Sequence, residues 1–372
     1  MRSIVIFCQH FTPAFKGGGP IQSLSNLAEI LKIDFKVFVF CSASDLGDHE
    51  PMSSITPNRW SEFSPGINVY YSTTSSLKVV ARMLEDTNPD FVYINGLFSW
   101  RFNLIPLWLA HRSDLKIVIS PRGMLQRGAL SIKPIKKKIV LFLLKLSGLF
   151  NRIRWHVTDE QERMDVEKVI GLHHETVMAS NIPKSLKPMD NRRVKRAGSA
   201  TLVFLSLITE KKNLHLVLEA LKYVQFPVRF HIYGPVKDEA YWIKCKKLMH
   251  DQIHEIMYFG PIKPDKVQEK LSEYHVMVLP TKGENFGHAI FESLGASTPA
   301  LISHFTPWGN LQDFHAGITV EDFKPENWAA AIQKFIDFDQ HAYSIYSNGA
   351  YRLAKSYFSK NDFRAQYQNL FS

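Results

Sequence analysis

The sequence predicts an α/β protein built from two domains with parallel sheets. Three observations support this. Short apolar runs of strand character alternate with helix-periodic runs along the whole chain. At 372 residues the chain exceeds one comfortable core and suits two domains, each about 150–190 residues. A charged, aperiodic stretch, Lys184 to Ser199, interrupts the alternation near the middle. The expected boundaries are a first domain over 1–183, a linker over 184–200, a second domain over 201–350 and a terminal segment over 351–372.

Ile4 to Cys8 reads as the first strand. The loop Gln9 to Pro20 carries Gly17, Gly18 and Gly19, and Ile21 to Leu31 is periodic, with Leu24, Leu27, Ala28 and Leu31 on one face. A glycine-rich strand-to-helix turn allows a ligand close to the backbone. It is also what a plain surface turn looks like. The pattern is not G-x-G-x-x-G, so a dinucleotide fingerprint is unsupported. Phe35 to Cys41 is a second strand, and Ser42 to Gly66, rich in Pro, Ser and Asp, reads as a long loop or lid. Ile67 to Tyr71 is a strand, Leu77 to Leu84 a helix stopped by Pro89, and Phe91 to Ile94 a strand running into Asn95-Gly96. Ligands of α/β sheets sit at carboxyl ends of strands, so Asn95 is either a sugar-hydroxyl partner or part of a turn. Lys116 to Ser120 leads into Arg122, which is either a phosphate ligand on an acceptor or a surface charge.

Lys133, Lys136, Lys137 and Lys138 precede the apolar run Ile139 to Phe150. A basic start and an apolar body suit an interfacial helix on anionic lipid, or a core helix with a solvated basic end. The net charge of +10 fits an anionic partner. The lysines carry no nucleic-acid motif or stacking array, so a lipid surface is preferred over nucleic acid. Arg154 to Val157 is a strand, and Thr158 or Asp159 caps the next helix.

In the second half, Leu202 to Leu205 is a strand. Ser206 to Asn213 follows with Lys211 and Lys212, then the helix Leu214 to Leu221. Val228 to Tyr233, Met257 to Phe259 and Ala300 to Ser303 are strands. Tyr241 to Met249, Trp328 to Phe338, His341 to Tyr357 and Lys360 to Phe371 are helices. The organising stretch is Val276 to Glu292. An apolar strand ends at Pro280, a polar loop spans Thr281 to Asn285, and Gly287 opens a periodic helix. The free N–H groups at that helix start can hold an anion on the amides of Phe286, Gly287 and His288. Glu284 and Glu292 flank the start and can accept hydrogen bonds from hydroxyls. A phosphate between two polyols describes a nucleotide sugar.

Glu284-Asn285-Phe286-Gly287 followed by Glu292, after an apolar strand ending in Pro280, resembles the signature of the retaining glycosyltransferases of family four, which have the GT-B fold. The resemblance implies two Rossmann-like domains facing each other across a cleft, with the last helix crossing back to the first. It implies that Glu284 lies by the donor sugar and that Glu292 binds ribose hydroxyls. Gly18 and Gly19 would approach the donor phosphate, Ile262 would stand by the base, and Lys212 would grip the diphosphate. Leu207 stands where the family usually has a second cation, Arg. The expected activity is metal-independent transfer, with retention, from a nucleotide-sugar donor to a lipid-linked glycan of a bacterial surface polysaccharide. No cofactor is expected beyond that donor. Alternatives are a different nucleotide-sugar reaction such as epimerisation, or a non-catalytic membrane-bound partner protein, motivated by Leu207. No Asp-x-Asp and no His/Cys cluster of ligand spacing occurs.

Cys8, Cys41 and Cys245 are few, odd in number and far apart, which points to a reducing cytoplasm. The N-terminal apolar run is too short for a signal peptide, and no run of 18 apolar residues exists. The expected location is the cytoplasm, peripheral at the inner face of the inner membrane.

Overall fold

Strand runs rich in Val, Ile and Phe with no polar alternation must be covered on both faces, and parallel βαβ units do this. A computed structural model of the chain describes residues 1–131, 134–186, 193–250 and 253–372. It divides into two units, Met1–Ile182 with Asp362–Ser372, and Pro183–Asn361.

The first unit contains β1 (Arg2–Phe7), α1 (Gly19–Leu31), β2 (Phe35–Ser42), β3 (Trp60–Ser64), β4 (Ile67–Ser72), α2 (Leu77–Thr87) and β5 (Phe91–Asn95). After a π-helical turn, Trp100–Leu104, come α3 (Ile105–Arg112), β6 (Lys116–Ser120), α4 (Arg127–Leu130), α5 (Pro134–Leu146), β7 (Ile153–Val157), α6 (Glu160–Val169) and β8 (Thr176–Met178). The strand order is β3-β4-β2-β1-β5-β6-β7-β8, parallel except for β3. The sequence reading of Ser42–Gly66 as one loop or lid is corrected: β3 pairs antiparallel with β4, Trp60 opposite Tyr70. The pairing partner is outside the segment, so local composition could not reveal it. Helix starts follow capping chemistry. Ser76 Oγ accepts from Val79 N at 3.4 Å, and Asp159 Oδ1 from Glu162 N at 2.7 Å, which settles the cap on Asp159.

The second unit contains β9 (Thr201–Leu205), α7 (Leu214–Leu221), β10 (Arg229–Tyr233), α8 (Glu239–Met249), β11 (Glu255–Gly260), α9 (Pro264–Leu271) and β12 (Val276–Leu279). Then come α10 (His288–Gly295), β13 (Ala300–Ser303), β14 (Gly317–Val320), α11 (Pro325–Asp337) and α12 (Gln340–Lys360). Its all-parallel order is β11-β10-β9-β12-β13-β14. Its core gathers Phe204, Ile232, Met277, Ile290, Ile302 and Trp328, each fully buried.

The stretch expected as linker, 184–200, is partly second-unit structure, and 187–192 lies outside the described residues. Arg193 donates to the carbonyls of Ala296 and Ser297 at the carboxyl end of α10, where the helix dipole favours a cation, and to Tyr274 O. The terminal segment expected over 351–372 also divides differently. Residues through Lys360 continue α12, and α13 (Phe363–Leu370) alone joins the first unit. There Phe371, fully buried, packs on Phe35 and Phe91 with ring centroids at 5.7 and 5.4 Å. Arg364 holds Asp34 through two hydrogen bonds of 3.0 and 2.7 Å.

Candidate active site

In the second unit the strand order places β9 beside β12, although β10, β11 and their helices separate them in the chain. At such a switch point the loops leaving two adjacent strands diverge and open a crevice at their carboxyl ends. Both loops carry the residues singled out above. After β9, Glu210–Lys212 form a single 3-10 turn ended by Asn213 in the left-handed conformation, φ 62°. After β12, Pro280 stops the strand and Thr281–Gly287 forms the loop. The Lys212 ammonium and the Glu284 carboxylate form a hydrogen-bonded ion pair across the switch point. Both side chains are largely shielded, 17% and 12% exposed.

The loops are laced together by backbone. Lys282 N donates to Lys211 O at 2.8 Å, Thr281 Oγ1 donates to the same oxygen at 3.4 Å, and Glu284 N donates to Phe305 O at 2.9 Å in the loop after β13. Lys211 lies along Gly283: its Cε and Nζ stand 3.5 and 3.8 Å from where a Cβ would be. Burial pushes the Lys211 ammonium below the usual lysine range, with Lys212 adding to that and Glu284 opposing it. Two ammonium groups and one carboxylate leave the crevice with a net positive charge.

The start of α10 faces the same edge. Gly287 is its N-cap in the left-handed region, φ 78° and ψ 59°, and a Cβ there would stand 2.9 Å from Ile290 Cδ1. Among the described residues no side chain caps the helix by a hydrogen bond, and its first turn carries no acidic residue. Phe286 is buried among Phe291, Trp308 and Tyr357, with centroids at 5.9, 5.4 and 5.4 Å, and Trp308 Nε1 donates to its carbonyl at 2.6 Å. Its ring anchors the loop, so only its amide faces a ligand role. The His288 ring meets Phe286 edge-on at 4.7 Å, and Asn285 is half-buried beside Glu284. Glu292, half-buried in α10, has its carboxyl pushed up from 4.5 to about 7 by burial, against the pull of Lys184. Ile262 follows β11 and packs on the second core; β11 is the outer strand, two places from β9.

Sequence reasoning undervalued Gly234 and Thr281. Gly234, φ 135°, ends β10, and a Cβ on it would lie 1.8 Å from Ser206 O. The β9 loop runs against this glycine, which is how Lys211 and Lys212 reach the crevice. A lone glycine after a strand was the available signal. Thr281 is fully buried and bonds within the loop that carries Glu284.

In the first unit β1 and β5 are the adjacent strands whose loops diverge. Gly18 is the N-cap of α1, φ 67° and ψ −135°, a glycine conformation, and Gly19 begins the helix. The buried carboxylate of Asp45 accepts from Phe15 N at 2.9 Å and Lys16 N at 3.2 Å, tying the 42–66 segment to the glycine turn. Arg122, φ 53°, donates to three side-chain oxygens: Asn95 Oδ1 at 3.0 Å, Asn181 Oδ1 at 2.5 Å and Tyr93 Oη at 3.0 Å. The structure thus brings Asn95 and Arg122 together, with three of the five guanidinium donors engaged. His156, held neutral by burial and Arg122 with its pKa pushed down to about 3, lies 2.9 Å from Tyr93 Oη and 2.8 Å from Ala179 O. Its Nε2–H donates to the carbonyl, so Tyr93 donates to Nδ1. The buried Glu162 carboxylate accepts from Gly123 N at 2.5 Å and Thr158 N at 2.9 Å.

Of the stretch 133–150, Lys133 lies outside the described residues and α5 spans Pro134–Leu146. Leu141 and Leu144 are buried, while Ile135, Phe142 and Leu146 are 73%, 60% and 70% exposed. Lys137 Nζ donates to Ala129 O at 2.6 Å. Among the described residues no helix is long and apolar enough to cross a membrane, and no three His, Cys, Asp or Glu gather as a metal site would need.

Comparison with known proteins bears on the fold and on the second unit. No curated protein sequence matches the chain. Among solved structures, sucrose-phosphate synthase from Thermosynechococcus elongatus aligns with TM-score 0.75 at 14% identity, over 100% of this chain and 98% of that one. HepE of Anabaena, solved with UDP and glucose, aligns with TM-score 0.70 at 13% identity, over 100% and 98%. WaaG, a glycosyltransferase involved in lipopolysaccharide biosynthesis, aligns with TM-score 0.68 at 12% identity, over 99% and 98%. The chain therefore has the two-domain GT-B fold, and residues 188–352, which include the Lys212–Glu284 pair, match the family of glycosyl transferases group 1.

Proposed function

We propose that this chain is a retaining glycosyltransferase that moves a sugar from a nucleotide-sugar donor to a lipid-linked glycan in surface polysaccharide assembly. The observation that carries the reading is the Lys212–Glu284 pair at the switch point of the second unit, beside the uncapped start of α10. The second unit binds the donor and the first binds the acceptor through Asn95 and the Arg122 hub. The match of 188–352 to glycosyl transferases group 1 supports the donor assignment. So do the UDP-bound structures with the same fold.

In this reading the bond between the anomeric carbon and the diphosphate oxygen breaks, and its electron pair leaves with the diphosphate. The acceptor hydroxyl oxygen bonds to the anomeric carbon, and its proton passes to a phosphate oxygen. Lys212, Lys211 and the amides at Gly287 and His288 offset the charge that grows on the leaving group, so the enzyme needs no metal. Lys211 stands in for the cation missing at Leu207. Glu284 accepts hydrogen bonds from the donor sugar. The family resemblance assigns it to positioning the sugar rather than to service as a covalent nucleophile. Glu292 accepts from ribose hydroxyls, and Ile262 borders the base. The enzyme works from the cytoplasm against an anionic membrane surface engaged by α5. Nucleic acid is not a partner.

Isothermal calorimetry with a panel of nucleotide sugars, followed by transfer assays with the donor that binds, tests this. Lys212→Ala is expected to lower turnover at least about 100-fold, the scale of losing one preorganised charge at a developing anion. Full activity in both Lys212→Ala and Glu292→Ala would sink the proposal. Leu207 favours a second reading, a non-catalytic nucleotide-sugar-binding protein, which would bind a donor yet neither transfer nor hydrolyse it. An epimerase would form product with no acceptor present.

A further inference from the structure

α5 is thirteen residues, Pro-Ile-Lys-Lys-Lys-Ile-Val-Leu-Phe-Leu-Leu-Lys-Leu, with four lysines and no carboxylate. At about 1.5 Å per residue it is about 20 Å long, too short to cross a bilayer. It carries apolar side chains on two faces. Ile135, Ile139, Phe142 and Leu146 follow helix spacing and are all exposed. Val140, Leu143 and Leu144 line the other face, against α3. There α5, α3 and the π-helical turn enclose a cavity of about 350 Å³ lined by Trp100, Leu104, Trp108, Val140, Leu143 and Leu149 among others, all apolar. That volume is in the range of small-molecule sites, about 300–1,000 Å³.

We infer that this trough seats one hydrocarbon chain of an anionic bilayer lipid, with the headgroup held by the cations at its mouth. The lining is almost wholly apolar, so the occupant is apolar where it is buried. Cations stand on the elements that line it. The Arg112 guanidinium lies over the Trp108 ring at 4.7 Å, Arg101 is exposed next to Trp100, and Lys136 is exposed one turn before Val140. Two tryptophans beside cations match the composition of a membrane interface. A second copy of the chain is the poorer occupant, because facing α5 helices would oppose lysines to lysines without a carboxylate between them. The inference rests on the membrane contact proposed above and adds a defined single-chain seat to it.

The full chain is tested in two assays. Flotation with phosphatidylglycerol and with phosphatidylcholine vesicles reads membrane contact. Native mass spectrometry with dodecyl phosphate below its micellar concentration reads the seat. The expected result is flotation with the anionic vesicles only, and a saturable complex with one dodecyl phosphate. Val140→Trp fills the trough and should weaken that complex at least 10-fold while flotation persists. Phe142→Glu, on the other face, should abolish flotation and spare the complex. If Val140→Trp fails to fold by circular dichroism, Leu143→Arg, at a position 57% exposed, replaces it. Flotation without a saturable complex, or a complex indifferent to both trough variants, overturns the seat and leaves membrane contact standing. No flotation with either vesicle removes the membrane reading itself. A lipid-independent dimer in sedimentation that is lost in Leu143→Arg assigns the trough to a second copy and overturns the inference.

Discussion

Glu292 joins the chemistry of the site to the stability of the second unit, and replacing it with glutamine separates the two. Burial raises its carboxyl from 4.5 to about 7, so the folded chain holds a proton there that the unfolded chain releases. The folded value lies above the unfolded one. Stability from this group is therefore full below about pH 4.5, falls as pH rises through 7, and is level above. At about 1.4 kcal/mol per factor of ten, ionised Glu292 costs about 3 kcal/mol at pH 8.5, against about 1 kcal/mol at pH 5. The native chain should thus lose about 2–3 kcal/mol over that interval through this one group. For a domain of this size that is about 5–10 °C in melting temperature. Glu292→Gln keeps the shape and removes the titration. Thermal unfolding of both proteins at pH 5 and 8.5, followed by circular dichroism, should show a melting temperature that falls 5–10 °C less in the variant. Calorimetry with a nucleoside diphosphate should show affinity rising with pH through 7 in the native chain, as the ionised carboxylate becomes the stronger acceptor, and level affinity in the variant. Parallel melting curves for the two proteins would refute the assignment of a raised carboxyl.

Two further substitutions test the framework. Gly234→Ala drives a methyl onto Ser206 O at φ 135° and should destabilise the second unit by at least about 3 kcal/mol, read by urea unfolding; a loss below 1 kcal/mol would mean the β9 loop yields freely. Phe371→Ala removes a fully buried ring from Phe35 and Phe91 and should cost the first unit about 3–5 kcal/mol in the same measurement, which an unchanged midpoint would contradict.

Much of the second unit was legible in residue order. Val276–Leu279, Ala300–Ser303 and Leu214–Leu221 form the strand, strand and helix that their periodicity announces, because each is covered by neighbours its own pattern demands. The loop read as Thr281 to Asn285 was legible from its chemistry: Pro280 stops the strand before it, and Gly287 marks the helix start, where it is the N-cap of α10. Less legible were β3 within 42–66, the π-helical turn at Trp100, α9, and β14, whose Gly317 runs against Ala300 O. These depend on partners far along the chain, and short segments carry little periodicity of their own. Arg122 illustrates the same gap. One arginine after a strand reads equally as ligand or surface charge, and only the convergence of Asn95, Tyr93 and Asn181 makes it a hub.

The residue order by itself determined the alternation of strands and helices, the division near residue 183, and the glycine, lysine and glutamate positions that punctuate the loops, since all of these follow from local periodicity and backbone chemistry. The tertiary structure alone decided that Lys212 meets Glu284. Those two residues lie 72 positions apart, and they touch because β12 inserts beside β9 rather than beside β11. Strand order is a property of the whole sheet, set by which apolar faces the helices can cover together, and no single segment encodes it.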